Sequence, residues 1–330
     1  VRRVVGAAAR GRTPMNAQGF ENLLQTLVAG VLTGSIYGLM CVGLALIFGV
    51  MRVINFAQGD FMMLGMYAAY YVLTLLGMQT LLGPLAGTYV SIVLAVPLLF
   101  GVGYAIHALL ISRVSGTRTA ALDGEGHYAQ LILTLGIALV MTNGAQMVFG
   151  SVMATLRTPL TTAAWQLPLG EDMGVFFNKS RSIAAFAAFA CIALISQFIS
   201  RSRTGRELRA AADNPVAATY MGIDVDKAHR VAFALGSGIT AIAGGLLATN
   251  YPFHPFVGVE YVIVMYAGVV LGGMGSIIGA FWGGMTIGLV QQMSTLVLPT
   301  QLQNAAIFVV FLLIVFFRPQ GFFGRMVERT

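Results

Sequence analysis

Charge is what this sequence has least of. Only 9 % of its 330 residues are Asp, Glu, Lys or Arg, against roughly 25 % in a soluble domain, and just two of the 19 basic residues are lysines. Cysteine is nearly absent as well: Cys41 and Cys191 each lie in an apolar stretch and offer neither a disulfide framework nor metal-ligand spacing. The four histidines, at positions 107, 127, 229 and 254, are scattered. There is no G-x-x-x-x-G-K-[ST] phosphate loop, no H-E-x-x-H, no C-x-x-C and no G-x-S-x-G elbow. No two carboxylates share an apolar run, so a proton relay has nothing to run on. The basic residues form no aromatic-studded soluble module, which argues against a nucleic-acid partner. An enzyme, a metal protein and a proton-driven carrier all lack their chemistry here.

What is present is apolar: 57 % of the chain, with 40 glycines. Leu23 to Val50, Phe61 to Ser112 (52 residues) and Tyr261 to Phe317 (57 residues) contain no formal charge. A helix of 52 residues would measure roughly 78 Å, more than twice a bilayer's hydrocarbon core. The run must fold back, and Gly77–Thr88 supplies the glycine and proline for a turn between spans near 59–77 and 89–111. Further spans are expected near 129–149, 182–200 and 231–250, and about three helices over 261–317. The fold class is therefore all-α, a polytopic transmembrane helix bundle of about eight to ten spans. Residues 150–181, with Pro159, Trp165 and Pro168, read as an irregular loop lying over the bundle.

The chain's charge is concentrated in one place. Ser200 to Arg230 carries 10 of the 31 formally charged side chains between two apolar segments, and such a block belongs in water. It reads as a short helix from Arg206 to Ala212, the breaker Asn214-Pro215, and a second short helix from Val216 to Gly222. A docking surface and an ordinary solvated loop are both open on this pattern. Placing Arg52, 113–127, 201–230 and 318–330 on one side of the membrane gathers 12 Lys and Arg there, against three (Arg157, Lys179, Arg181) opposite. That asymmetry puts the charged loop and the C-terminus in the cytoplasm. The first 14 residues, with four arginines, read as a non-native start before Met15 or as a basic tail on the lipid surface. Residues 15–330 read as a single transmembrane domain with 201–230 as its cytoplasmic loop.

One polar break interrupts the apolar runs. In VINFAQGDF, Val53 to Phe61, the residues Asn55, Gln58 and Asp60 stand where backbone at membrane depth is tolerated only if buried in protein or facing a wet cavity. Either these side chains line a path or its gate, or Asn55 caps a tight turn between two helices. Gly272, Gly273 and Gly275 are a second candidate break, with a simple helix junction as the other reading. Glycines at four-residue spacing (Gly30, Gly34, Gly38; Gly275, Gly279, Gly283; Gly284, Gly288) mark faces on which helices approach backbone to backbone.

Four ordered stretches carry a resemblance: GSIYGLMCVGLALIFGVMRVINFAQGDFMMLGMY (34–67), GRELRAAADNPVAATYMGIDV (205–225), VVLGGMGSIIGAFWGG (269–284) and FRPQGFFG (317–324). The chain from Met15 onward, outside 150–181, resembles the permease subunits of branched-chain amino-acid ABC importers, the LivH type. The resemblance implies the ABC importer permease fold, a LivM-like second permease subunit, two cytoplasmic ATPase subunits that bind ATP and Mg, and a periplasmic amino-acid-binding protein. It implies the bacterial inner membrane, no cofactor or metal in this chain, and no enzymatic step of its own. The 201–230 loop then becomes the ATPase-coupling loop, with Arg206, Arg209, Asp213, Asn214, Ala217, Ala218 and Gly222 as its working residues. Ala217 and Ala218 permit close approach, Gly222 ends the helix, and Val216 stands where many importers carry Glu. Asn55, Gln58, Asp60, Gly272, Gly273 and Gly275 are the candidates for the path or gate; Gly34, Gly38, Gly279 and Gly283 for packing. Importers of urea or short amides share the resemblance, and a stand-alone carrier or channel for small neutral solutes is the competing class.

Overall fold

A chain this poor in charge has to satisfy its backbone within its own helices, and almost every element is one. The computed structural model describes residues 15–114, 125–156, 158–168, 174–318 and 320–323. The 1–14 tail, most of the 113–127 loop, Arg157 and the last residues of the C-terminus lie outside them.

Helix α1 (Met15–Met51) is the axis of the molecule. Every residue from Thr33 to Ile47 is buried, as a helix apolar on all sides requires. It packs between α9 (Val225–Ala248) and α11 (Ile277–Ser294). Around these lie α2 (Gln58–Leu75), α3 (Met78–Ile106), α5 (Glu125–Phe149), α6 (Lys179–Arg201), α10 (Val257–Gly272) and α12 (Gln303–Phe317). A π turn (His107–Ile111) carries α3 into a last short turn, α4 (Ser112–Val114). Five of these stretches are long and apolar enough to cross a membrane alone: 19–51, 78–114, 128–149, 179–201 and 225–248. Helices α5 and α6 are buried over only 22 % of their apolar windows, leaving Ile132, Val140, Met147, Phe186 and Leu194 exposed on the outside of the bundle. Because α1 is one unbroken helix, 24–50 hides no second span, and the described residues hold nine long helices. The start of α1 then lies at the end of the bundle opposite the charged loop.

The glycine stripes are the bundle's seams. A Cβ on Gly34 would meet the Met285 carbonyl oxygen at 2.6 Å, and one on Gly38 would run into the Phe281 ring, so both glycines let α1 lie directly on α11. Gly279 and Gly283 face the other way, onto the backbone of Gly272 and Gly268 in α10. Gly275 does not belong to that stripe: it lies before α11, in a turn, at φ 91°.

The fold-back expected within Gly77–Thr88 is there, and one other stretch departs from expectation. Gly77 (φ 58°) and Gly83 (φ 80°) both leave the helical conformation, so the first turn of α3, from Met78, folds back until the Met78 carbonyl lies against Gly87, and Pro84 starts the long part of the helix, where a missing N–H costs nothing. The 150–178 stretch is not wholly irregular: β1 (Ala164–Pro168) pairs antiparallel with β2 (Gly174–Asn178), Trp165 opposite Phe177. It does lie across one end of the bundle. Gln25 exchanges two hydrogen bonds with the backbone of Phe176, at 2.7 and 2.9 Å, and Ala154 bridges Phe253 beyond the end of α9.

Candidate functional site

At the opposite end, the charged loop is two helices with every end capped. Helix α7 (Arg203–Asp213) starts from Ser202, whose Oγ accepts from the Gly205 N–H at 2.9 Å. Helix α8 (Pro215–Tyr220) starts from Asn214, whose Oδ1 accepts from the Ala217 N–H at 3.0 Å, with Pro215 in the first helical position. Gly222, at φ 80°, ends it: the Ile223 N–H donates to the Ala218 carbonyl at 3.0 Å, as in a Schellman closure. Asp224 caps α9 through the Lys227 N–H at 2.9 Å. Both helices thus exist, with α7 starting three residues earlier than expected and α8 ending two earlier.

The two alanines face different surroundings. Ala218 is 4 % exposed and packs into the chain's own interior, while Ala217 faces out. The helical period explains this, since neighbouring positions lie about 100° apart on a helix and cannot share a face. What projects instead is apolar: Tyr220 is 85 % exposed, Met221 82 % and Val216 61 %. Sequence reasoning missed Tyr220 and Met221. The available signal was Val216 and Tyr220 at i, i+4, a shared face. Arg206 is exposed, and Arg209 and Asp213, four residues apart, line a cleft at the base of α7.

Gly272, Gly273 and Gly275 come to that same end and do not join Asn55, Gln58 and Asp60. Gly272 closes α10 and faces Gly279; Gly273 (φ 99°) and Gly275 (φ 91°) make the turn into α11. The Phe322 and Phe323 N–H groups donate to the carbonyls of Leu271 and Gly272, at 2.8 and 3.2 Å. Here the three form a helix junction, in which the left-handed Gly273 and Gly275 end one helix and reverse the chain.

The Val53–Ala57 break does sit deep. Gln58 Nε2 donates to the Gly236 carbonyl at 3.2 Å and to Thr240 Oγ1. Gly236 lies against Gly43, about 12 Å along α1 from Met51. Asn55 Nδ2 donates to Gln58 Oε1 at 2.9 Å, and Asn55 Oδ1 accepts from the Ala57 N–H at 3.2 Å, two residues on. Asp60, in the first turn of α2, accepts from Thr142 Oγ1 at 2.7 Å. There the helix dipole favours a carboxylate, and among the described residues no cation pairs with it. Gly59 crosses Gly258 backbone to backbone. Asn55 is 1 % exposed, Gln58 0 % and Asp60 3 %, so the three face one another and the interior. In this structure the three form a polar knot that fixes the break.

No group of three or more His, Cys, Asp or Glu among the described residues is placed to hold a metal ion. Against known proteins, the family profile described as branched-chain amino acid transport system / permease component matches residues 26–317. The high-affinity branched-chain amino acid transport system permease protein LivH of Escherichia coli K12 is 26 % identical over 313 residues, covering 94 % of this chain and 98 % of LivH. BraD of Pseudomonas aeruginosa, a permease protein of the same description, is 29 % identical over 309 residues, covering 92 % of this chain and 96 % of BraD. The probable branched-chain amino acid transport permease protein LivH of Methanocaldococcus jannaschii is 26 % identical over 274 residues, covering 82 % and 80 %.

Proposed function

Since the chain belongs to the family of branched-chain amino acid transport system permease components, we propose that it is the permease subunit of an ATP-driven ABC importer. It forms the translocation path for branched-chain or similar neutral amino acids delivered by a periplasmic binding protein. The chain is a multi-pass membrane protein that works in a complex with other subunits and carries out no chemistry itself. A LivM-like second permease completes the path, and two cytoplasmic ATPase subunits bind ATP and Mg and hydrolyse the nucleotide. The home of the complex is the bacterial inner membrane. The distribution of Lys and Arg supports a cytoplasmic coupling loop and C-terminus.

The observation that carries this reading is the apolar tip of α8. Tyr220 and Met221 are more than four-fifths exposed on a helix pair whose every end is capped. A rigid, aromatic knob among charges is what fills a groove on a partner. Arg206, Arg209 and Asp213 supply the charged flank, and Asn214 and Gly222 fix the shape. ATP-driven closure of the ATPase pair moves α7 and α8, and α6 and α9 carry the shift into the bundle as rigid bodies. In this reading Asn55, Gln58 and Asp60 belong to the gate, as the joint that holds the Val53–Ala57 break at membrane depth.

Co-purification tests it. Wild type should bring down an ATPase subunit from mild detergent, and the double variant Tyr220→Asp, Met221→Asp should lose at least nine-tenths of it while eluting as a folded chain. If no ATPase accompanies the wild type, and the chain alone moves leucine into liposomes without ATP, the stand-alone carrier or channel is the correct class. Competition of labelled leucine uptake by urea or short amides separates those solutes from amino acids.

A further inference from the structure

The base of α7 borders an open cleft of about 650 Å³, within the size range of small-molecule sites, which shares Arg209 and Asp213 with the proposed coupling flank and adds Arg52 and an apolar wall to them. Its walls come from stretches far apart in sequence: the end of α1, one face of α7, the α10–α11 turn and Phe323. The polar part is Arg52, Arg209 and Asp213, with Ser276, whose Oγ accepts from the Gly279 N–H at 3.0 Å. Arg52 Nη2 donates to the Ala212 carbonyl at 3.0 Å, and Arg209 Nη2 to the Ser200 carbonyl at 3.1 Å. A guanidinium has five donors in a planar fork, so each keeps donors for a carboxylate. Among the described residues, neither arginine nor Asp213 is in an ion pair. Phe48, Met274 and Phe323 supply the apolar part.

Arg52 is itself unusual: among the described residues it is the one non-glycine with positive φ, 55°. Backbone strain of that kind persists only where the surroundings fix it, and it clusters at ligand clamps and switches. We propose that the cleft binds a free α-amino acid with an apolar side chain. The two guanidiniums take the carboxylate, Asp213 takes the ammonium, and Phe48, Met274 and Phe323 enclose the side chain. An inorganic anion would use the arginines and be repelled by Asp213; a simple cation would meet the reverse. Only a zwitterion with an apolar arm uses all three features. The ligand spans α1, α7 and the α10–α11 turn, so it braces the coupling helices against the bundle. A delivered amino acid that accumulates on this side thereby slows further transport. The inference rests on the transport reading for that consequence, and on the lining alone for the ligand's chemistry.

Equilibrium dialysis of labelled L-leucine against the purified chain, with whichever subunits accompany it and no binding protein, tests the assignment. Saturable binding is expected, weakened at least tenfold by Arg209→Gln and by Asp213→Asn. Valine should compete, whereas leucinol, which lacks the carboxylate, and 4-methylpentanoate, which lacks the ammonium, should not. No saturable binding to wild type overturns the proposal, as does binding that both substitutions leave unchanged. Binding lost in Arg209→Gln but kept in Asp213→Asn, with 4-methylpentanoate competing, makes the cleft a plain anion site and overturns it equally. If a substitution unfolds the chain, judged by its elution and melting profile, the competition series on wild type decides. Leucine uptake by the same preparation with binding protein added is measured alongside. Uptake without cleft binding sinks this inference and leaves the transport reading standing; binding without uptake does the reverse.

Discussion

Gln58 shows how few side chains hold the polar break in place. It accepts from Asn55 and donates to the Gly236 carbonyl and the Thr240 hydroxyl, so one amide ties the turn to itself and to α9. Replacing it with leucine keeps the bulk and strands the Asn55 amide in a dry interior, which costs about 1–3 kcal/mol. Gln58→Leu should therefore lower stability by about that amount in reversible detergent unfolding. Asn55→Ala with Gln58→Leu should lose less than the sum of the two single changes, because an empty pair leaves nothing unsatisfied. Additive losses would mean that the two amides do not work together. The break was legible in the sequence, since polar residues in an apolar run need a special reason. Its partners were not. Thr142, Gly236 and Thr240 lie 82 to 182 residues away, and a hydroxyl or a glycine carbonyl in a span carries no local mark of its role.

Helices in this bundle meet where a side chain would keep them apart, and the two sides of a seam can be told from glycines that meet nothing. A Cβ on Gly284 would lie 2.7 Å from the Tyr37 carbonyl oxygen and 2.8 Å from Cys41 Sγ, whereas Gly101 and Gly144 have nothing within 4 Å. Gly284→Ala should cost about 1–3 kcal/mol, as overpacking does. Gly101→Ala and Gly144→Ala should be neutral or stabilising by up to about 1 kcal/mol, since alanine is the better helix former. Equal effects at all three positions, in the same unfolding measurement, would refute the seam. The four-residue spacing gave away the stripes but not their partners, so Gly34 and Gly279 looked alike although one serves α11 and the other α10. Gly275 shared the spacing and sits in a turn, because periodicity cannot tell the last residue of a loop from the first of a helix. The β1–β2 hairpin left no trace either, since five-residue strands with Pro168 and Gly174 at their ends read as loop.

At the scale of the whole molecule, polarity is set by where water can reach. One end gathers Arg52, α7, α8, the α10–α11 turn, Phe322 and Phe323, tied by the Arg52–Ala212 bond and by Phe322 and Phe323 on α10. The other end gathers the hairpin, the start of α1 and the 249–256 loop. The first end and the loops assigned with it hold 12 Lys and Arg, the other three, and the proposed orientation, with the rich end inside, rests on that excess. The same nine-helix path leaves Met221 (82 % exposed) and Leu167 (54 %) at opposite ends. With Cys41 and Cys191 replaced by serine and alanine as packing allows, Leu167→Cys should react with a membrane-impermeant thiol reagent in intact right-side-out cells. Met221→Cys should react only once the membrane is opened or inverted. A reversed pattern would overturn the orientation and, with it, any coupling of α8 to a cytoplasmic ATPase. Labelling of both from one face would instead refute the odd number of crossings, since Leu167 and Met221 are separated by α6 alone among the long helices.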